Sequence, residues 1–213
     1  MRGHITEKIL YDTYRDLADR AKIGLDFLLL TASAGVICAF GFNMNNASII
    51  IGAMVISPLL FPVIFAAAAT YQSNWNDLFR AVGTFAIGFL VAVATAVVVG
   101  VFHATEFRSE IINRLSSATG DYFFVAFFSG LAGTYAFFSP KIHEAVAGIA
   151  ISVALIPPVV MLGIGLGLGI TKNNTNLVFT SSAIVIANIL GIYLGAILMI
   201  FVLHRISRDR PER

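Results

Sequence analysis

Apolar residues run along this chain in blocks of about twenty, with the charges collected between them. No Asp, Glu, Lys or Arg occurs between Asp26 and Asp77, and further charge-free stretches lie at 81–102, 122–140, 145–171 and 173–203. Blocks of this length read as membrane spans, because a hydrocarbon core about 30 Å thick takes roughly twenty helical residues to cross. The pattern predicts spans at 24–42, 47–70, 80–103, 122–139, 145–170 and 177–203. Helices are expected, since backbone polar groups must be satisfied internally in lipid and no alternating ten-residue pattern marks a barrel. The expected fold is an all-α membrane protein with six transmembrane helices over 24–203. A segment 1–23 precedes them and a basic tail 204–213 follows. The composition agrees: 58% hydrophobic and 12% charged, against about 25% charged in a soluble domain.

The positions of the charges orient the bundle. With six spans, both termini and the loops 71–79 and 140–144 share one side, which carries eleven of the fourteen Lys and Arg residues. The positive-inside rule places that side in the cytoplasm, so a multi-pass protein of a bacterial or archaeal cytoplasmic membrane is expected, with both termini inside. The polar N-terminal stretch does not resemble a cleavable signal, which makes the first span a retained anchor. Ile5, Ile9, Leu10, Tyr14, Leu17 and Ala21 share one helical face, and Glu7, Lys8, Asp12, Arg15, Asp16 and Asp19 lie off it. Such a segment lies on the membrane or packs on its own bundle. Phe107, Ile111 and Leu115 form a shorter stripe in an outer loop, and Tyr71 and Trp75 are ordinary interfacial aromatics.

The chain also resembles itself. A shift of one hundred residues brings IGAMVISP at 51–58 onto ISVALIPP at 151–158, with Pro58 on Pro158, Asn74 on Asn174 and Asn76 on Asn176. A shift of ninety-eight brings 34–40 onto 132–138. Each half, about 24–103 and 122–203, holds three spans. An odd number turns the second copy over, giving two inverted three-helix repeats, an architecture typical of secondary transporters. The second span contains Pro58 and Pro62 and the fifth contains Pro157 and Pro158. Proline removes a backbone donor and disfavours the α region before it, so both spans are expected to break there. Breaks inside a membrane offer carbonyl and N–H groups to an ion or solute, or are satisfied by neighbouring helices.

Neutral polar residues gather near these positions: Ser57, Ser152, Ser33, Ser129, Thr134, Tyr135 and Asn188. Asn188 serves either as glue between helices or as a liner of the site. Asn46, in the polar loop with Asn43 and Asn45, is a turn or cap residue or else part of the same site. Acidic groups stay near span ends, so recognition would rest on backbone dipoles and neutral groups, which suits an ion or small polar solute. The series Gly163, Gly165, Gly167 and Gly169 lies in a span and is not a phosphate loop; with Gly191 and Gly195 it reads as packing, and small residues on several spans favour homo-oligomers. No His/Cys metal spacing, nucleophile elbow or phosphate loop occurs, and Cys38 is the single cysteine. An enzyme, a cofactor and a nucleic-acid partner are therefore not expected.

The blocks NNASIIIGAMVISPLLFP at 45–62, GLAGTYAFFSPKI at 130–142, VAGIAISVALIPPVVMLGIGLGLG at 146–169 and NILGIYLGA at 188–196 resemble the "uncharacterized hydrophobic domain" family, domain of unknown function 389, of bacterial and archaeal membrane proteins. The resemblance covers about 24–203 and implies an integral membrane fold without a defined activity. From the residues, the expected function is a permease or channel-like transporter of an ion or small polar solute. Its site would comprise Ser57, Pro58, Pro62, Ser152, Pro157, Pro158, Asn188 and Asn46. The alternative is a sensor or scaffold acting through the charged termini.

Overall fold

A computed structural model describes the backbone of residues 2–103, 119–138, 147–172 and 176–208, and the side chains of 11–103, 120–138, 155–169 and 177–206. The described residues form eight helices and no strands: α1 (Arg2–Arg20), α2 (Leu25–Asn43), α3 (Ala47–Ile56), α4 (Leu60–Tyr71), α5 (Trp75–Phe102), α6 (Thr119–Phe138), α7 (Ala147–Lys172) and α8 (Asn176–Arg208). Four stretches among these are long and apolar enough to cross a membrane: Leu25–Asn43, Trp75–Phe102, Gly120–Phe138 and Leu177–Ile206. The bent pair α3 and α4 makes a fifth, and α7 contains a further apolar run, Leu155–Gly169. Large apolar side chains such as Phe79, Leu90, Phe102, Phe124, Phe128 and Phe179 face outward, as a surface solvated by lipid requires. The described residues are thus helical throughout their regular structure, and their several apolar helices are those of a multi-pass membrane protein.

Two helix ends share one device. After α2, Asn45 takes a left-handed conformation (φ 50°), the Asn45 N–H donates to the Phe42 carbonyl and the Asn46 N–H to the Gly41 carbonyl. After α4, Ser73 does the same (φ 55°), with the Ser73 N–H on Thr70 and the Asn74 N–H on Ala69. These are Schellman closures, which satisfy the last carbonyls and reverse the chain within three residues. In each case the closing asparagine also caps the next helix. Asn46 Oδ1 accepts from the Ser48 and Ile49 N–H groups and Asn74 Oδ1 from the Asp77 N–H. Asn46 therefore has its side chain committed to the start of α3.

Glycines set the spacing of the bundle. A Cβ on Gly163 would stand 2.6 Å from the Val93 carbonyl oxygen, and one on Gly167 2.8 Å from that of Val97, so α7 meets α5 backbone to backbone. Gly191 and Gly195 meet the backbone of Phe123 and Phe127 on α6 in the same way. Both pairs advance together along the chain, so α5 and α7 run parallel, as do α6 and α8. The packing role expected of these glycines holds. It is exercised between helices of one chain, so these glycines are no ground for a homo-oligomer.

The helix α7 occupies the centre, packed against α2, α3, α5, α6 and α8. Every residue from 155 to 161 is buried, so no side of the helix faces lipid at that level. The expected break of the fifth span at Pro157 and Pro158 does not occur. Both prolines lie inside a continuous helix. Their fixed φ is itself helical, and other helices enclose this turn. The helix α8 continues into the basic tail as far as Arg208. The Phe107 to Leu115 stripe lies outside the described residues.

The amphipathic segment is helical and docks on its own bundle. Leu17 and Ala21 are buried with Leu60, Val63, Ile64 and Phe65 of α4. The Tyr14 ring lies 5.3 Å from that of Phe65, and its hydroxyl donates to Asp77 Oδ2 at 2.7 Å.

Candidate functional site

The break in the second span is real. Pro58 confers extended backbone on Ser57 (φ −71°, ψ 127°), α3 stops at Ile56, and α4 leaves at 49° to α3. Pro58 has no N–H for the Met54 carbonyl. The Leu59 N–H turns to Ser57 Oγ at 3.4 Å, and the Phe61 N–H to the Pro58 carbonyl at 3.2 Å. The carbonyls of Met54, Val55 and Ile56 thus end α3 without helical partners. Pro62 adds no second break. It lies in the first turn of α4, where an N–H has no helical acceptor to lose.

The two halves of the broken span differ in setting. In α3, Ser48, Ile51, Gly52 and Val55 are exposed, so one face looks out of the bundle. In α4 every residue from 62 to 69 is buried, as are residues 57 to 60 at the break itself. The break therefore marks where the span passes from rim to interior. Met54 and Leu59 share a packed cluster with Ile156, Val159 and Val160, and Leu60 shares another with Leu155. The structure thus brings the Pro58 break against the α7 turn that holds Pro157 and Pro158. Neither proline supplies an N–H, so the carbonyls of Val153 and Ala154, one turn back on α7, also lack their usual donors.

Asn188 is fully buried on α8, between Val185 and Ile192, which belong to those same clusters. Ser152 falls on α7, in a stretch whose side chains lie outside the described residues. Other polar candidates scatter: Ser33 and Tyr135 face outward, Ser129 is half-buried, and Thr134 is buried on α6. Thr31, Thr84 and Ser181, also buried, donate to carbonyls one turn back on their own helices, which leaves them little to offer a solute. Among the described residues no group of His, Cys, Asp and Glu side chains could hold a metal ion.

A second feature was not legible in the sequence. At the end of the bundle where α1 docks, an apolar cavity of about 250 Å³ lies between α1, α4, α6 and α8. Beside it Thr70 and Tyr193 pair through their hydroxyls at 2.8 Å, joining α4 to α8. The run of alanines at 66–69 was the available signal, because side chains that small leave room between helices. Nearby, Asp77 gathers the Tyr14 hydroxyl, Asn74 Nδ2 at 2.9 Å and Arg80 at 3.0 Å. Burial, and the Asp77 carboxylate it donates to, push the Tyr14 phenol above its ordinary range.

Comparison with known proteins places the chain without supplying an activity. The chain is 24% identical over 203 residues to an uncharacterized protein of Methanocaldococcus jannaschii, an alignment covering 94% of this chain and 60% of that one. The chain thus spans about 60% of the length of this relative. No solved structure matches it. The model of the family described as a domain of unknown function (DUF389) matches residues 54–194, from the last turn of α3 through the Pro58 break and α7 into α8. The chain therefore belongs to the DUF389 family.

Proposed function

We propose that the chain is a permease or channel-like protein for an ion or small polar solute, working at the break of the second span. One observation carries this reading: a helix end whose carbonyls at Met54, Val55 and Ile56 lack helical partners, leading from the exposed rim of α3 into the buried break at residues 57–60 beside α7. Carbonyls without helical partners are costly in lipid unless something fills them, and a cation or a hydrogen-bond donor does so.

The six-span, inverted arrangement fits the helix pairing once α3 and α4 count as one span and α7 as another. The pairing of α2 with α5 is matched by that of α6 with α8, α4 with α5 by α7 with α8, and α5 with α7 by α8 with α4. The two copies differ in one respect, the break being kept only in the first. Both termini then lie on one side, which the lysine and arginine distribution makes the cytoplasm. Ser57 is 6% exposed and its surroundings are apolar, so this conformation is occluded, and a swing of the half-exposed α3 about Pro58 would open it. The alternative, a scaffold acting through its charged termini, has less to work with, because the apolar face of α1 is taken up by α4.

The test is flux of K⁺, Na⁺ and Cl⁻ in reconstituted vesicles for Pro58→Ala, which restores the donor and removes the reason to bend. Flux should be lost while helicity and elution behaviour stay unchanged. Undiminished flux in a folded Pro58→Ala protein refutes the assignment.

A further inference from the structure

The cavity under α1 has the chemistry of an amphiphile site. Its floor is Ala68, Phe138 and Ile200, and its edge carries the polar-tipped Tyr71, Gln72 and His204, with Tyr11 of α1 leaning over it. Polar-tipped rings over an apolar floor belong at the depth where acyl chains meet headgroups. The Tyr71 and His204 rings meet edge to face with centroids 5.7 Å apart, which fixes the edge. Just past His204 the charge is positive. The Arg205 guanidinium lies 5.7 Å from the Phe201 ring centre and has no acidic partner among the described residues, and Arg208 follows it in the last turn of α8.

An apolar hollow edged by His204, the residue before the exposed Arg205, selects a ligand with a hydrocarbon tail and a negative head. A neutral solute would leave that arginine unused, and a small anion would leave the floor unfilled. We infer that this cavity binds one acyl chain of an anionic phospholipid, with its phosphate beside His204 and Arg205. Basic pockets between spans on the cytoplasmic side suit such headgroups. The bound chain would fill the gap that α4, α8 and α1 leave between them, so the lipid holds α1 on the bundle. The site is separate from the Pro58 break and does not rest on the transport reading.

The full chain, purified in mild detergent, should retain phosphatidylglycerol over phosphatidylcholine when offered equal amounts of both in mixed vesicles and examined by native mass spectrometry. One surface arginine is expected to shift that preference about five-fold. Gln72→Trp, placed at the exposed mouth where folding is not at stake, and Ala68→Leu, which shrinks the floor, should each lose both lipids. Arg205→Gln should keep lipid but lose the preference. Equal retention of the two lipids by the wild-type chain overturns the inference, as does full retention by Gln72→Trp.

Discussion

Replacing Gly163 by alanine tests the claim that α7 is held at the centre by backbone contact with α5. The added Cβ would stand 2.5 Å from the Ala96 Cβ and 2.6 Å from the Val93 carbonyl oxygen. Carbon atoms pack at about 3.5–4.0 Å, so the shortfall is about 1 Å. One obstacle is backbone and the other a Cβ fixed to it, so no rotamer change relieves the clash and the helices must part. Overpacking of this kind costs about 1–3 kcal/mol, against which alanine returns up to about 1 kcal/mol of helix preference over glycine. Gly83→Ala is the control, because a Cβ there meets nothing within 4 Å. It gains the same preference with no clash, so the difference between the two variants isolates the packing cost at about 1–3 kcal/mol. Equilibrium unfolding in mixed micelles, followed by far-ultraviolet circular dichroism, measures it. Equal stability of Gly163→Ala and Gly83→Ala would show that α5 and α7 are not in backbone contact.

Two further outcomes follow from the helix ends and from α1. Asn46→Ala should destabilise the protein by about 1 kcal/mol through loss of the α3 cap, with flux per folded molecule unchanged; reduced flux at full stability would instead return Asn46 to the solute site. Tyr14→Phe removes a hydrogen bond to a carboxylate, worth about 1 kcal/mol in this half-buried setting, and should make α1 more susceptible to limited proteolysis. Because the Tyr14 phenol is raised in the folded protein, its contribution is complete below about pH 10 and falls as pH rises past that value. The wild-type chain should approach the proteolysis rate of Tyr14→Phe only there, and a constant ratio through about pH 11 would discount the contact.

Local rules settled much of this protein. Charge-free blocks mark the helices within a few residues, because neither lipid nor packed helix tolerates an unpaired charge. The break at Pro58 was also legible, since a proline acts on its own neighbours through a missing donor and a restricted preceding residue. The same local reasoning failed at Pro157 and Pro158. Whether a proline-bearing turn opens depends on what surrounds it, and residues 155–161 are enclosed on every side, a property of the assembled bundle. Asn46 shows the same division at smaller scale: the sequence allowed a cap, and the hydrogen bonds from Ser48 and Ile49 that make it one appear only in the structure. The cavity at Ala68, Phe138 and His204 could not be read along the chain, since its walls come from four helices and it exists only in the gap between them. What the sequence determined by itself was the solvent each segment is built for, its helical state and the local break at Pro58. The tertiary structure decided which helix lies at the centre, which proline turns open and where space remains, because those depend on packing between segments far apart in the chain.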